Sequence, residues 1–195
     1  MFTKSSIWVY VLRMKKEGNI VLIGFMGTGK SAIGREISKK LGIPFIDTDQ
    51  LIEEREGKSI SEIFEAQGES YFRALESAVL TEIAEADDAQ RAVIALGGGT
   101  PIQEVNHSPI RSLGCVIWLK TSLQETYDRV TKNSNRPLLQ CDNPREKIQS
   151  LMDDRYPIYE KVSDYAIKTA DLSVSELASG IIDSVSYHFS SIDNS

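Results

Sequence analysis

The sequence predicts an α/β fold built on a parallel sheet, and three observations carry that expectation. Ile20-Val21-Leu22-Ile23, Ala92-Val93-Ile94-Ala95-Leu96 and Cys115-Val116-Ile117-Trp118-Leu119 are short continuous apolar runs, the pattern of buried strands. Stretches with helical spacing of apolar residues separate these runs, so strands and helices alternate along the chain. Glycine clusters follow the first run and the second, as expected where backbone must turn sharply beyond a strand end.

In chain order, the first strand covers 20–23 and a helix follows through Ile33, Ile37 and Leu41, stopped by Gly42 and Pro44. Phe45-Ile46 makes a second short strand ending at Asp47-Thr48-Asp49. Helices are expected over 51–56, 59–67 and 71–85. Ser59 and Ser61 suit helix starts, and Glu62 stands three residues after Ser59 in the spacing of a capping box. Strands at 92–96 and 115–119 come next, and Ser122 opens a helix to about Lys132. Residues 133–144 are polar, hold two prolines and read as a mobile loop. A long helix from about 145 to 162, a last strand at 165–168 and a closing helix at 174–189 complete the chain. No repeat, low-complexity segment or linker interrupts 19–195, which is expected to form one domain.

The 195 residues suit a single hydrophobic core, and 41% hydrophobic with 26% charged residues is an ordinary globular composition. The net charge of −6 comes from intermixed acidic and basic residues with no basic stripe, which argues against nucleic-acid binding. No segment approaches the ~20 apolar residues of a membrane span. Residues 1–18 are expected to be an N-terminal extension, loosely attached or upstream of a true start at Met14. Their run Ile7 to Leu12 is shorter than a signal-peptide core, and Arg13, Lys15 and Lys16 follow it without a small-residue cleavage site. Cys115 and Cys141 have no metal-like spacing, so neither a disulfide framework nor a zinc site is expected, and Cys115 reads as a buried strand thiol. His107 and His188 are isolated and receive no role. The composition fits a reducing, cytoplasmic setting.

Gly24-Phe25-Met26-Gly27-Thr28-Gly29-Lys30-Ser31 fits G-x-x-x-x-G-K-[ST] in full, between an apolar strand and an amphipathic helix. The glycines let successive backbone N–H groups point inward and let phosphate oxygens approach closely. The helix starting near Lys30 aims its positive end at the same anion. Lys30 supplies a mobile positive charge for the β- and γ-phosphates, and the Ser31 hydroxyl suits Mg²⁺. ATP or GTP binding follows, without naming a reaction.

Other unusual residues fall just beyond strand ends, where open α/β sheets bind ligands. Asp47 and Asp49 are spaced i, i+2, which in extended backbone turns both carboxylates the same way. One would serve Mg²⁺ through water and the other a substrate hydroxyl, unless Asp49 simply caps a helix. Gly97-Gly98-Gly99 marks either close approach of backbone to a ligand or a tight turn. Arg73 and Arg155 each read, alone, as solvated helix arginines. Arg136 stands in the proline-bearing loop, where a lid would bring it to a transferring phosphate.

Taken together these marks resemble the shikimate kinase family over about 19–189. They are the 24–31 loop, Asp47-Thr48-Asp49, Ile63-Phe64, Phe72-Arg73 with Glu76, Gly97-Gly98-Gly99, Arg136-Pro137-Leu138-Leu139, and Arg155 followed by Pro157-Ile158-Tyr159. The resemblance implies a three-layer P-loop fold with a five-stranded parallel sheet of order 2-3-1-4-5 and helices on both faces. It implies MgATP as donor and the 3-hydroxyl of shikimate as acceptor. By the same resemblance Gly27, Thr28, Gly29, Lys30, Ser31 and Ala32 bind ATP, with Arg129 stacking on adenine and Arg136 reaching phosphate and substrate from a lid at about 131–146. Asp49 binds shikimate hydroxyls and is the candidate base. Arg73 and Arg155 hold the carboxylate, Phe64 and Phe72 wall the pocket, and Gly97, Gly98 and Gly99 contact the ring. Ser31 and Asp47 organise Mg²⁺, and Lys30, Asp49 and Arg136 carry the catalysis.

A forked guanidinium matches a carboxylate through paired charge-assisted hydrogen bonds, and an acidic residue suits hydroxyls. Gluconate meets that description too, and only the Asp-Thr-Asp, Phe-Arg and triple-glycine marks favour shikimate over it. A nucleoside monophosphate would ask for a more basic pocket. A kinase-like binding module is a rival from another class, and the presence of Lys30, Asp49 and Arg136 argues against it. A regulatory GTPase lacks support because the chain has no Asn-Lys-x-Asp. A monomer acting on small molecules is expected, without nucleic-acid or membrane partners.

Overall fold

The computed structural model of the chain describes residues 18–86, 91–131 and 143–192. Residues 1–17 of the expected extension, Cys141, Arg136 and most of the 131–146 segment lie outside the described residues.

Five strands form one parallel sheet: β1 Asn19–Ile23, β2 Phe45–Asp47, β3 Val93–Ala95, β4 Gly114–Lys120 and β5 Tyr165–Lys168. Their spatial order is β2-β3-β1-β4-β5. β1 is central, with Ile20 opposite Val93 on one side and Cys115 on the other. The order reverses beside β1, so the crevice beyond its carboxyl end is the topological switch point.

The inner strands are continuously apolar at 20–23, 93–95 and 115–119 because both of their faces are covered. Three helices cover one face: α3 Ile60–Glu85, α4 His107–Leu113 and α6 Pro144–Val162. There Val21, Ile23, Ile94, Val116 and Trp118 of the sheet pack with Leu80 of α3, Ile110 and Leu113 of α4, and Ile148, Met152, Tyr159 and Val162 of α6. Ile20, Leu22, Val93, Cys115, Ile117 and Leu119 face the opposite layer, against Ile33 and Ile37 of α1 Lys30–Leu41 and Leu177, Ala178, Ile181 and Val185 of α7 Val174–Ile192. A third cluster, Ile52, Ile63, Phe72 and Val79, joins α2 Thr48–Glu56 to α3. The α5 helix, Leu123–Val130, lies between β4 and α6 in the chain.

Local chemistry sets the helix ends. Gly42 stops α1 in the left-handed region at φ 66°. Ser59 and Glu62 form the expected capping box at α3, and Ser122 with Glu125 forms another at α5.

The helices expected at 59–67 and 71–85 are both present within Ile60–Glu85, separated by a kink at Gly68, whose φ of 80° and ψ of 172° are not helical. Two features depart from the sequence reading, and both have physical causes. The stretch 100–113 holds two short 3₁₀ turns and α4, which at seven residues is too short for its periodicity to register. Asp47 and Asp49 do not share an extended segment. Asp47 ends β2 and is the N-cap of α2, accepting from the Asp49 N–H at 3.2 Å, while Asp49 stands in the first helical turn.

Candidate active site

The loop after β1 and the first turn of α1 form the phosphate cradle. Gly27 and Gly29 take φ values of 75° and 89°, where a side chain would add strain, and Gly29 is the N-cap that hands the loop over to α1. The loop is tied internally: buried Thr28 donates its hydroxyl to Phe25 O at 2.9 Å. The Lys30 ammonium lies back over the loop, donating to Gly24 O at 2.9 Å and Phe25 O at 3.2 Å. Ala32 is exposed in the first turn of the helix. Arg129 of α5 reaches the same loop and donates to Gly27 O at 3.3 Å while pairing with Glu125 at 3.5 Å.

Ser31 donates its hydroxyl to Asp47 Oδ2 at 2.6 Å, so a helix hydroxyl and a strand-end carboxylate stand together at the cradle. Two hard oxygen donors beside a phosphate site fit Mg²⁺, which takes few protein ligands and fills its remaining positions with water and phosphate.

The Gly97-Gly98-Gly99 turn beyond β3 joins this cradle to Asp49 and Arg73. A Cβ on Gly98 would stand 3.3 Å from Gly24 O and 3.6 Å from Met26 N, so the turn packs directly on the phosphate loop. A Cβ on Gly97 would collide with Asp49 Oδ1 and meet Glu76 Oε1 at 2.6 Å, and one on Gly99 would overlap the Arg73 guanidinium. The turn therefore excludes side chains because functional groups crowd it on three sides. Thr48 anchors it by donating to Ala95 O at 3.3 Å and accepting from Gly97 N–H at 3.0 Å.

Arg73 is oriented by carboxylates on its own helix. It donates to Glu76 at 2.6 Å and to Glu69 at 2.7 Å, at spacings of i+3 and i−4. Burial works against its charge, but Glu76 and Glu69 outweigh it and hold the guanidinium above its ordinary pKa. Glu76 is 1% exposed and accepts at its other oxygen from Thr100 at 2.8 Å, so one buried carboxylate aligns both the arginine and the residue after the triple glycine. Removing one member of such a pair typically costs about 3–5 kcal/mol because the other is left charged and buried.

Arg155 of α6 is also buried, its guanidinium carbon 5.6 Å from the centre of the Phe25 ring. One turn on, Tyr159 donates to Gly98 O at 2.6 Å. Burial pushes the Tyr159 phenol up to about 12, against the pull of Arg155, so it remains a donor at neutral pH. Phe64 and Phe72 meet at 4.9 Å between ring centres, and the Phe72 ring lies 5.6 Å from the Arg73 guanidinium carbon.

The fold thus gathers the phosphate loop, Asp47, Asp49, Phe64, Phe72, Arg73, the three glycines and Arg155 at one end of the sheet, with Arg129 at the rim. Arg136 lies outside the described residues. Glu76, Tyr159, Thr48 and Phe25 are structural partners that sequence reasoning left without roles. Helical spacing from Arg73 and Arg155 pointed toward the first two, whereas the other two depend on tertiary contact.

A parallel sheet whose central strand feeds a phosphate cradle, with the guanidinium groups of Arg73 and Arg155 gathered at the same end of the sheet, is the architecture of a P-loop kinase. The "Shikimate kinase" family model matches residues 26–186. A shikimate kinase of Vibrio parahaemolyticus is 40% identical over 169 residues, covering 87% of this chain and 96% of the relative. One from Thermodesulfovibrio yellowstonii is 43% identical over 164 residues, covering 84% and 92%. The solved structure of a shikimate kinase from Acinetobacter baumannii in complex with shikimate superposes with a TM-score of 0.84 at 35% identity, covering 91% of this chain and 98% of that one. The chain belongs to the shikimate kinase family, and ATP is its co-substrate.

Proposed function

We propose that this chain transfers the γ-phosphoryl group of ATP to the 3-hydroxyl of shikimate, giving shikimate 3-phosphate and ADP, a step toward the aromatic amino acids. One observation carries the reading: a single glycine turn touches the phosphate loop, Asp49 and Arg73 at once. Donor and acceptor sites are thereby held within one turn of backbone of each other.

In this reading Arg73 and Arg155 grip the shikimate carboxylate, Phe64 and Phe72 wall the ring, and Gly97 to Gly99 let it lie against backbone. Asp49 orients the acceptor hydroxyl. As that oxygen attacks the γ-phosphorus, the bond to the β–γ bridging oxygen breaks, ADP leaves, and the hydroxyl proton passes to the Asp49 carboxylate. Lys30 and the N–H groups from Gly27 to Ala32 hold the phosphates, and Arg129 stacks on the adenine. Mg²⁺, held by Ser31 and Asp47, would neutralise phosphate charge when bound. Arg136 is proposed, on the family resemblance, as a lid cation within about 131–146. The same resemblance supports one catalytic domain from residue 19 onward, with 1–18 as an extension, acting as a cytoplasmic monomer. Among the described residues no helix is long and apolar enough to cross a membrane.

The grip on the carboxylate is tested by Arg73→Ala. Truncating a desolvated charge pair costs about 2–5 kcal/mol, so KM for shikimate should rise roughly 30-fold or more while KM for ATP stays within about twofold. Arg73→Lys keeps a charge beside Glu76 but loses the fork, and should show the same split with a smaller loss of stability. Equal losses for both substrates would contradict the assignment.

A further inference from the structure

We propose that Cys115, Asp164 and His188 form a binding site for a thiophilic divalent cation, zinc foremost, at the end of the sheet opposite the candidate active site. The Cys115 sulfur, a carboxylate oxygen of Asp164 and a ring nitrogen of His188 all lie within 4.8 Å of one another. The inference is independent of the acceptor assigned above.

Three distant parts of the chain build this cluster. Cys115 is the second residue of β4, Asp164 immediately precedes β5, and His188 is in the last turns of α7. Asp164 is clamped to β4 around a single residue: its Oδ2 accepts from the Val116 N–H at 2.7 Å, and its own N–H donates to Val116 O at 2.8 Å. The carboxylate is thereby fixed beside the Cys115–Val116 peptide. Helix α7 packs on the sheet face that Cys115 shares, through Ala178, Ile181 and Val185. His188 continues that stripe by one turn and so arrives at the amino-terminal edge of β4. Its ring meets Tyr165 at 5.7 Å and Phe189 at 5.2 Å, both edge-on, which limits the ring's rotation. Scattered spacing in the sequence conceals the group, because only the parallel β4–β5 pairing and the α7 packing bring it together.

The donor set has a definite preference. Thiolate and imidazole select zinc, whereas Mg²⁺ prefers the hydroxyl and carboxylate oxygens found at the phosphate loop. Around tetrahedral zinc, ligand atoms stand roughly 3.3–3.8 Å apart, so side-chain rotations on the order of 1 Å close the cluster. Three protein ligands leave a fourth position for water. Burial pushes the free Cys115 thiol up to about 12, with Asp164 adding to the effect and Arg91 opposing it. Binding therefore releases the thiol proton to solvent, one for each ion bound. The bound ion would tie the carboxy-terminal helix to β4 and to the start of β5.

The test is a cobalt titration of the metal-free, full-length protein. One Co²⁺ per chain should produce thiolate-to-metal charge transfer in the near ultraviolet with tetrahedral d–d bands, and Zn²⁺ should displace it. Zinc should also raise the unfolding temperature. Cys115→Ala should abolish the charge-transfer band. His188→Gln should weaken zinc binding at least about tenfold, since even outer-shell partners of a metal site are worth 10–100-fold. Cys141→Ser, which removes the other cysteine, should leave the spectrum intact. His188 is half-buried and away from the phosphate loop, so His188→Gln should keep its kinase turnover. Absence of the band in the folded wild type would overturn the proposal, as would its persistence in Cys115→Ala or undiminished zinc affinity in His188→Gln. If Cys115→Ala does not fold, the wild-type spectrum and the His188→Gln affinity still decide.

Discussion

Replacing Lys30 with alanine is expected to lower kcat by about 10²–10³-fold, the usual loss when one preorganised charge aimed at a transition state is removed. Lys30 is the first residue of α1, directly after the left-handed Gly29, so its side chain leaves the helix at the cradle's mouth. There the ammonium lies over the carbonyls of Gly24 and Phe25. In a loose phosphoryl-transfer transition state the charge to be met lies on the γ-phosphoryl oxygens and the departing β-phosphate, and a compact ammonium can follow it as the bond lengthens. Lys30→Arg should rescue little, because a planar fork cannot replace a point charge in a closed loop. Unfolding temperature should change little, since the loop's own tie through Thr28 remains. Steady-state ADP release measures the effect, and a loss below tenfold would remove Lys30 from the catalytic group.

Asp49→Asn is the second large effect, with kcat expected to fall by about 10²–10⁴-fold, the range typical of a general base. Asparagine preserves shape where Asp49 Oδ1 stands against Gly97 but cannot take up the hydroxyl proton. The structure adds a distinction between neighbouring carboxylates. Asp47 is engaged as the cap of α2 and by Ser31, whereas Asp49 faces the glycine turn from the first turn of the same helix. Asp47→Asn should therefore act on nucleotide kinetics and stability, and Asp49→Asn on kcat with KM for ATP nearly unchanged. A rise in KM for shikimate at constant kcat would make Asp49 a binding residue and not the base.

Much of this arrangement was legible because it is local. The apolar runs 20–23, 92–96 and 115–119 mark strands covered on both faces, and the 24–31 loop carries its chemistry in contiguous residues. Strand order came with the family resemblance, since spacing alone does not say that β3 lies between β1 and β2. The two helical stretches at 59–67 and 71–85 were legible from their periodicity; the non-helical Gly68 separates them, and Ile63, Phe72 and Val79 pack in one cluster across the kink. The Asp47–Asp49 pair was read as extended, but a cap at Asp47 starts α2 immediately. Partnerships across the fold were least legible. Nothing in the sequence near Arg155 shows that Phe25 lies beneath its guanidinium, or that Tyr159 reaches Gly98, or that Cys115 meets His188.

The identity of the acceptor is the property that most directly separates this kinase from its structural relatives. ADP release with MgATP should be measured with shikimate, gluconate and AMP offered separately, against Lys30→Ala as the background. Turnover with shikimate alone, lost in Lys30→Ala, is the result predicted from a turn that joins the phosphate loop to Asp49 and Arg73. Turnover with gluconate or AMP but not shikimate would contradict it.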